Sequence, residues 1–302
     1  MDKRSIIHMF DPSPHTSPFD INFAVDAEFD VIVPYSNVKL EQINALVQDV
    51  IFSRSPAGVR KTGIFIGGRD MGVAMGMLEQ AREAMVPPFQ VSVLADPSGA
   101  FTTAAALVAC VERELKTRHG GNLKGSRAIV FGGTGPVGIA TGVIASLEGA
   151  EVSLVDHLTI DTALEAATDY NNLCGANMRG TYASSDADKA RLVSNADIVF
   201  CCAKAGIQVL NASVLGDAKE LKVAGDVNAV PPLGLEGLKR HDFGRELEYA
   251  SASNGAVGIG ALAIGDVKYK LQHVLLDALV EENETPLFMD FRDAFSKARE
   301  LV

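Results

Sequence analysis

Cysteine is scarce in this chain of 302 residues, and the four present, Cys110, Cys174, Cys201 and Cys202, show no metal-ligand spacing. No metal is therefore expected, and the adjacent Cys201 and Cys202, in an apolar run, read as small buried thiols. Positive charge is also in deficit: 27 Lys and Arg against 38 Asp and Glu give a net charge of −11. That balance argues against sequence-independent nucleic-acid binding, which needs clustered cations. Anionic small ligands stay open, because backbone amides and a few basic side chains can hold them. No segment approaches the ~20 uninterrupted apolar residues of a membrane span. The apolar run Ile6–Phe10 ends at Asp11 and Pro12, is too short for a signal peptide and reads as a first strand, so a reduced cytoplasm is expected. Solenoid repeats and low-complexity tracts are missing. The six histidines show no pairing that suggests an acid–base device.

What is present is ordinary globular material, 47% hydrophobic and 22% charged, at a length that suggests two domains. Ile6–Phe10, Val31–Pro34, Gly63–Ile66 and Val91–Ala95 read as buried strands. Helical patterns occupy 18–27, 39–52 and 70–86, with Ile43, Leu46, Val47 and Val50 on one face. Strands alternating with helices predict a parallel sheet covered on both sides. A further helix over 101–117 leads into a polar linker, Arg118 to Asn122.

The most informative stretch follows. An apolar strand, Ala128 to Phe131, runs into Gly133-Thr134-Gly135-Pro136-Val137-Gly138 and then a small-residue helix. The first glycine is expected to make the tight turn, the second to clear the path of a pyrophosphate and the third to let helix and strand approach. Amides at the helix start then face the anion. A second strand, Val152 to Val155, ends in Asp156, where an acid binds ribose hydroxyls. Strand, glycines, helix, strand and acid together predict a dinucleotide-binding unit of Rossmann type. Further strands are expected at 197–202 and 221–226, with a weaker one near 181–183. Pro231 and Pro232 end the second of these. A long helix follows Gly258, and a shorter one covers 290–301. The fold expected is α/β in two domains: a parallel-sheet domain of residues 1–118 with 257–302 returning as packing helices, and a Rossmann-like domain of residues 119–256.

Several segments occur in an order that resembles a known family. They are Ser17-Pro18-Phe19-Asp20, Ile64 to Gly68, Asp96-Pro97-Ser98-Gly99 with Thr102 to Ala105, and Gly132 to Gly138. Asp226-Val227-Asn228-Ala229-Val230-Pro231-Pro232, Gly258 to Leu262, Lys268-Tyr269-Lys270 and Leu287 to Ala294 complete the set. Over nearly its whole length the chain resembles the bacterial NAD(P)-dependent methylene-tetrahydromethanopterin dehydrogenases. The resemblance implies reversible hydride transfer from the methylene pterin to the nicotinamide, giving a methenyl cation, in one-carbon (formaldehyde) oxidation by a cytoplasmic homo-oligomer. No proton leaves in that step, so positioning is what remains for the protein.

On this basis Gly133, Thr134, Gly135, Pro136, Val137 and Gly138 are assigned to the cofactor's phosphates, Asp156 to its adenosine ribose, and His157 beside it to the cofactor as a group that, when protonated, partly rescues binding of a 2′-phosphate. Asp156 repels a 2′-phosphate and predicts NAD as the preferred cofactor, with NADP as the second; a helix N-cap is its other reading. Ala203 and Lys204 are expected beneath the cofactor. Asn228 either positions the nicotinamide carboxamide or stabilises the turn before the prolines. For the pterin, Phe19, Asp20, Asp96 and Thr102 are chosen, although Asp20 also suits a helix dipole and Thr102 a helix cap. Lys268 is assigned to orientation in catalysis, with Lys270 as the alternative. A methylene-tetrahydrofolate dehydrogenase is the nearest rival, but Tyr35 in Tyr-Ser-Asn-Val-Lys closes a strand, against cyclohydrolase activity. A shikimate or amino-acid dehydrogenase would need Lys61 and Asp96 as a proton-transfer pair, and a non-catalytic dinucleotide sensor is more remote.

Overall fold

A computed structural model describes residues 4–281 and 285–302. In chain order the first elements are β1 (Ile6–Phe10), α1 (Pro18–Asp26), β2 (Val31–Tyr35), α2 (Ile43–Phe52), α3 (Pro56–Val59), β3 (Thr62–Ile66), α4 (Met71–Glu83) and β4 (Ser92–Ala95). Then come α5 (Ala100–His119), β5 (Arg127–Phe131), α6 (Pro136–Leu147), β6 (Glu151–Asp156), α7 (Ile160–Cys174), β7 (Met178–Tyr182) and α8 (Asp186–Val193). The chain continues through β8 (Ile198–Cys201), α9 (Ala212–Gly216), β9 (Val223–Asp226), β10 (Phe243–Glu246), β11 (Val257–Ile259), α10 (Ala261–Asp277), β12 (Phe288–Met289) and α11 (Phe291–Leu301).

Two compact units result: Met1–Thr102 with Tyr269–Ala294, and Thr103–Lys268 with Phe295–Val302. The sequence reading placed the boundaries at 118/119 and 256/257, whereas the division falls inside helices. The body of α5 explains part of this, for it is packed on the second unit's sheet. A Cβ on Gly225 of β9 would come within 2.4 Å of Leu107 and 3.1 Å of Val111.

The first unit carries a sheet in the order β12-β4-β3-β1-β2, and all its described pairings are parallel. Its β3 is buried along its whole length, as expected for a strand covered on both faces. Phe101 and Phe291, both fully buried, meet edge to face with centroids 5.5 Å apart. Such a pair contributes roughly 0.5–1.5 kcal/mol beyond its area burial. Tyr35 closes β2, as the sequence indicated.

The second unit orders its strands β10-β11-β9-β8-β5-β6-β7, with β10 antiparallel at the edge. The order reverses between β5 and β8, the place where α/β sheets of this kind bind ligands. The linker expected from Arg118 begins later, since α5 runs on through His119. Gly120 then adopts φ +60°, and its amide and that of Gly121 bond back to Lys116 and Leu115. Neither α7 nor α8 was assigned from the sequence, and both begin with side-chain caps, on Thr159 and Ser185. Strands β10, β11 and β12 are short pieces without enough alternation to be seen.

Candidate functional site

In the second unit the strand ends gather around one cavity of about 500 Å³. Gly132, Thr134 and Gly135 line it from the turn after β5, Val155 and His157 from β6 and beyond, and Ser184 and Lys189 from the β7–α8 side. Cys202, Ala203 and Lys204 close it from the end of β8.

The glycine turn departs from expectation by one residue. Gly132, not Gly133, takes the left-handed backbone at φ +68°, and a Cβ there would lie 2.7 Å from the Ala203 amide. Gly133 is required by space instead, with Val130 and Val155 backbone atoms 2.8 Å from its added Cβ. At Gly138 a Cβ would lie 2.1 Å from the Gly132 carbonyl oxygen, so α6 can start this close only with glycine there. Gly135 is different. Its added Cβ meets nothing nearer than Gly132 O at 3.5 Å, so the protein itself does not demand a glycine there. The first helical bond of α6 runs from Ile139 N to Gly135 O, and Pro136 occupies the first helical position. The first-turn amides of Val137 and Gly138 therefore have no carbonyl partner within the helix and suit an anion.

Asp156 is buried, and its oxygens are largely committed. Oδ1 accepts from the amides of Leu158 at 2.7 Å and Thr159 at 3.0 Å, and Oδ2 from the Thr134 hydroxyl at 2.8 Å. Burial works to raise this carboxyl, but the Thr159 amide, the Thr134 hydroxyl and the Leu158 amide together hold it below the usual range. The helix N-cap is Thr159, not Asp156. His157 and Thr134 line the cavity, while Asp156 lies outside its lining.

Asn228 has its hydrogen-bonding capacity spent on the protein. Its Oδ1 accepts from Gly206 at 3.0 Å and Val230 at 2.9 Å, and its Nδ2 donates to Pro232 O at 2.8 Å. Of the two readings, the turn-stabilising one is the geometry seen, and a direct contact with a carboxamide is corrected. Asp226, which sequence reading passed over, organises the same loop. It accepts from Asn228, Gly234 and Leu235 amides, and burial pushes it up to about 6. Lys204 is exposed at the rim.

In the first unit, Asp96 and Thr102 also differ from expectation. Asp96 is buried and accepts from the Phe101 amide at 2.9 Å, the Thr102 amide at 3.1 Å and the Thr102 hydroxyl at 2.6 Å. Instead of facing a substrate, the pair caps the start of α5, because three donors converge on one carboxylate. A fourth, Gln272 Nε2, reaches Asp96 Oδ2 at 3.2 Å. Lys61 precedes β3 and bonds Val280 O at 3.2 Å, whereas Asp96 follows its parallel neighbour β4. A strand's length, about 13–17 Å, separates them, so they form no proton-transfer pair. Asp20 is buried on α1, and Phe19 beside it is 46% exposed. Lys268 is half-buried on α10 and Lys270 exposed.

Comparison with known proteins agrees with this architecture. The family model "Methylene-tetrahydromethanopterin dehydrogenase, N-terminal" matches residues 18–98. An NAD(P)-dependent methylenetetrahydromethanopterin dehydrogenase of Methylorubrum extorquens is 41% identical over 99% of both chains. The bifunctional protein MdtA of the same organism is 32% identical over 99% of both. Among solved structures, the shikimate 5-dehydrogenase of Listeria monocytogenes in complex with shikimate and NAD superposes with a TM-score of 0.50. It is 14% identical, with coverage of 98% of this chain and 96% of that one. The quinate dehydrogenase of Corynebacterium glutamicum in complex with NAD gives the same score at 13% identity, covering 99% and 98%. These two likenesses are of fold alone: α/β with a Rossmann-like unit. Identity of 41% sustained across 99% of the chain is a likeness of sequence, and on it the chain belongs to the methylenetetrahydromethanopterin dehydrogenase family.

Proposed function

We propose that this protein oxidises methylene-tetrahydromethanopterin reversibly to the methenyl cation, with NAD(P)+ taking the hydride, in one-carbon oxidation. The observation that carries the reading is the 41% identity over 99% of both chains with a relative whose name states that activity. The cavity at the β5–β8 switch supports the dinucleotide half. Space at Gly135 that the fold does not need, and unpartnered first-turn amides, fit a pyrophosphate.

When bound, the nicotinamide supplies the hydride acceptor. The chain's own residues bind and orient. Gly132 to Gly138 hold the phosphates, and Asn228 with Asp226 fixes the loops after β8 and β9. Ala203 and Lys204 lie along the cofactor. The methylene carbon stands between two nitrogens whose lone pairs stabilise the product cation, so no general base is required. In this reading the first unit takes the pterin, with Phe19 and Asp20 on α1 near it. Asp96 and Thr102 act by fixing the start of α5, and Lys268 orients the substrate; its charge does not stabilise a cation.

For the cofactor, the reading is NAD first and NADP second. The Asp156 charge disfavours a 2′-phosphate, while Lys189 and Lys204 around the same cavity supply cations that attract one. The cytoplasm and a homo-oligomer belong to the proposal as well. Exposed Leu158, Ile160, Leu164 and Leu173 on and before α7 support the second.

The test is an absorbance assay with methylene-tetrahydromethanopterin and methylene-tetrahydrofolate, each with NAD and NADP. Faster reduction with the methanopterin substrate is expected. Preference for the folate substrate would transfer the protein to its nearest rival, and no reduction with either, alongside tight NAD binding, would leave only a sensor.

A further inference from the structure

Gln272 of α10 is 5% exposed, and its two polar atoms have unequal fates. Nε2 donates to Asp96 Oδ2 at 3.2 Å, while Oε1 is buried with no hydrogen-bond partner among the described residues. The orientation of the amide is fixed by chemistry: a carboxylate that only accepts must be faced by the NH2 group, which turns the oxygen away. Asp96, held by two amides and a hydroxyl at the carboxyl end of the parallel sheet, cannot swing to relieve it. A buried acceptor left unmade is destabilising.

The neighbours of Gln272 have the same unfinished character. Tyr269 and His273, three residues before and one after it, meet at a tilt of 60° with centroids 4.5 Å apart, and the Phe23 ring of α1 lies 5.5 Å from that of Tyr269. Phe19 extends the row at 4.8 Å from Phe23. Tyr269 is 48% exposed and Phe19 46%. His273 Nε2 is a second buried atom without a partner among the described residues. An orphaned acceptor and an orphaned ring nitrogen beside a row of aromatic rings together match a flat heterocycle with N–H donors and a carbonyl.

We propose that Gln272 Oε1 is a recognition point for the pterin ring: it accepts one of the ring's N–H groups while the Tyr269–Phe23–Phe19 wall packs against the ring. Asp96 is then a positioning residue that aims the amide. The inference rests on the functional reading above and adds residues to it.

The test uses the full chain and Gln272→Leu. The Michaelis constant for methylene-tetrahydromethanopterin should rise about tenfold, with that for NAD unchanged. Without pterin the variant should melt no lower than wild type, since an unmet acceptor has been removed. A purely structural glutamine would give the reverse, a lower melting temperature and an unchanged pterin constant, and that result overturns the proposal. Should Gln272→Leu fail to fold, Gln272→Met, of closer shape, is read in the same way. If both fail, the amide is structural and the proposal falls. Wild-type protein that turns over no methylene pterin would remove the functional reading instead. Equilibrium binding of tetrahydromethanopterin to wild type and variant then decides Gln272 alone, with equal affinities rejecting it.

Discussion

The strand ends of the two units are finished in opposite ways. In the second unit the polar side chains that fix the loops beside the cavity are satisfied within the protein: Asp156 by two amides and Thr134, Asn228 by Gly206, Val230 and Pro232, Asp226 by three amides. What those loops offer a ligand is backbone and space, with Lys189 and Lys204 in the cavity lining. In the first unit Gln272 Oε1 and His273 Nε2 lack partners among the described residues, and Tyr269 and Phe19 are exposed. What is left for a ligand there is side chains. On the reading proposed above, a dinucleotide would meet a surface built in advance by loop geometry, and a pterin would meet groups whose hydrogen bonds the ligand itself completes.

The same added methyl at two glycines separates fold from binding in the second unit, and has the largest expected effect. Gly138→Ala drives a Cβ to 2.1 Å from Gly132 O and should cost roughly 4 kcal/mol or more, seen as a collapse of the melting transition. Gly135→Ala has ordinary contact distances. If backbone and space do the binding, this second variant keeps its melting temperature and loses only cofactor affinity.

Next in size is a pH effect on Asp226. Its carboxyl is raised to about 6 by burial, so the folded state holds its proton more tightly than the unfolded chain. The associated stability, about 3 kcal/mol, is fully present below roughly pH 4 and is lost as pH rises through about 6. Urea unfolding of wild type and Asp226→Asn from pH 4 to 8 should show the wild-type advantage shrinking over that window. A difference that is flat or grows with pH would mean the loop is not built around a desolvated carboxylate.

For Gly135→Ala the Michaelis constant for NAD should rise about tenfold, from a methyl in the path of the pyrophosphate. An unchanged constant would break the contrast between the units. The smallest effect is expected at Asp156. Replacement by Ala should raise the NADP-to-NAD ratio of kcat/KM roughly fivefold, measured with both cofactors in parallel, because the cations at Lys189 and Lys204 remain while the repelling charge goes.

This contrast also explains what could be read in the sequence. Helix and strand periodicity made β1 to β6 and α10 visible, and glycine spacing marked the phosphate turn, because close approach leaves no choice of residue. The one-residue error at Gly132 arose because spacing alone cannot say which of two adjacent glycines turns left-handed. Asp96 and Asn228 lie just past strand ends and Thr102 at a helix start, as the sequence indicates, but a side chain that caps and one that binds have the same composition. Gln272 carried no signal at all. A glutamine at one position of an amphipathic helix becomes informative only when its partners, and the lack of one, are seen.

Direct transfer is the centre of the account, and isotopic labelling tests it most simply. With the methylene carbon fully deuterated, the reduced nicotinamide should gain one deuterium by mass spectrometry, since the hydrogen passes as hydride without meeting water. Unlabelled nicotinamide, with the deuterium released to solvent, would contradict it.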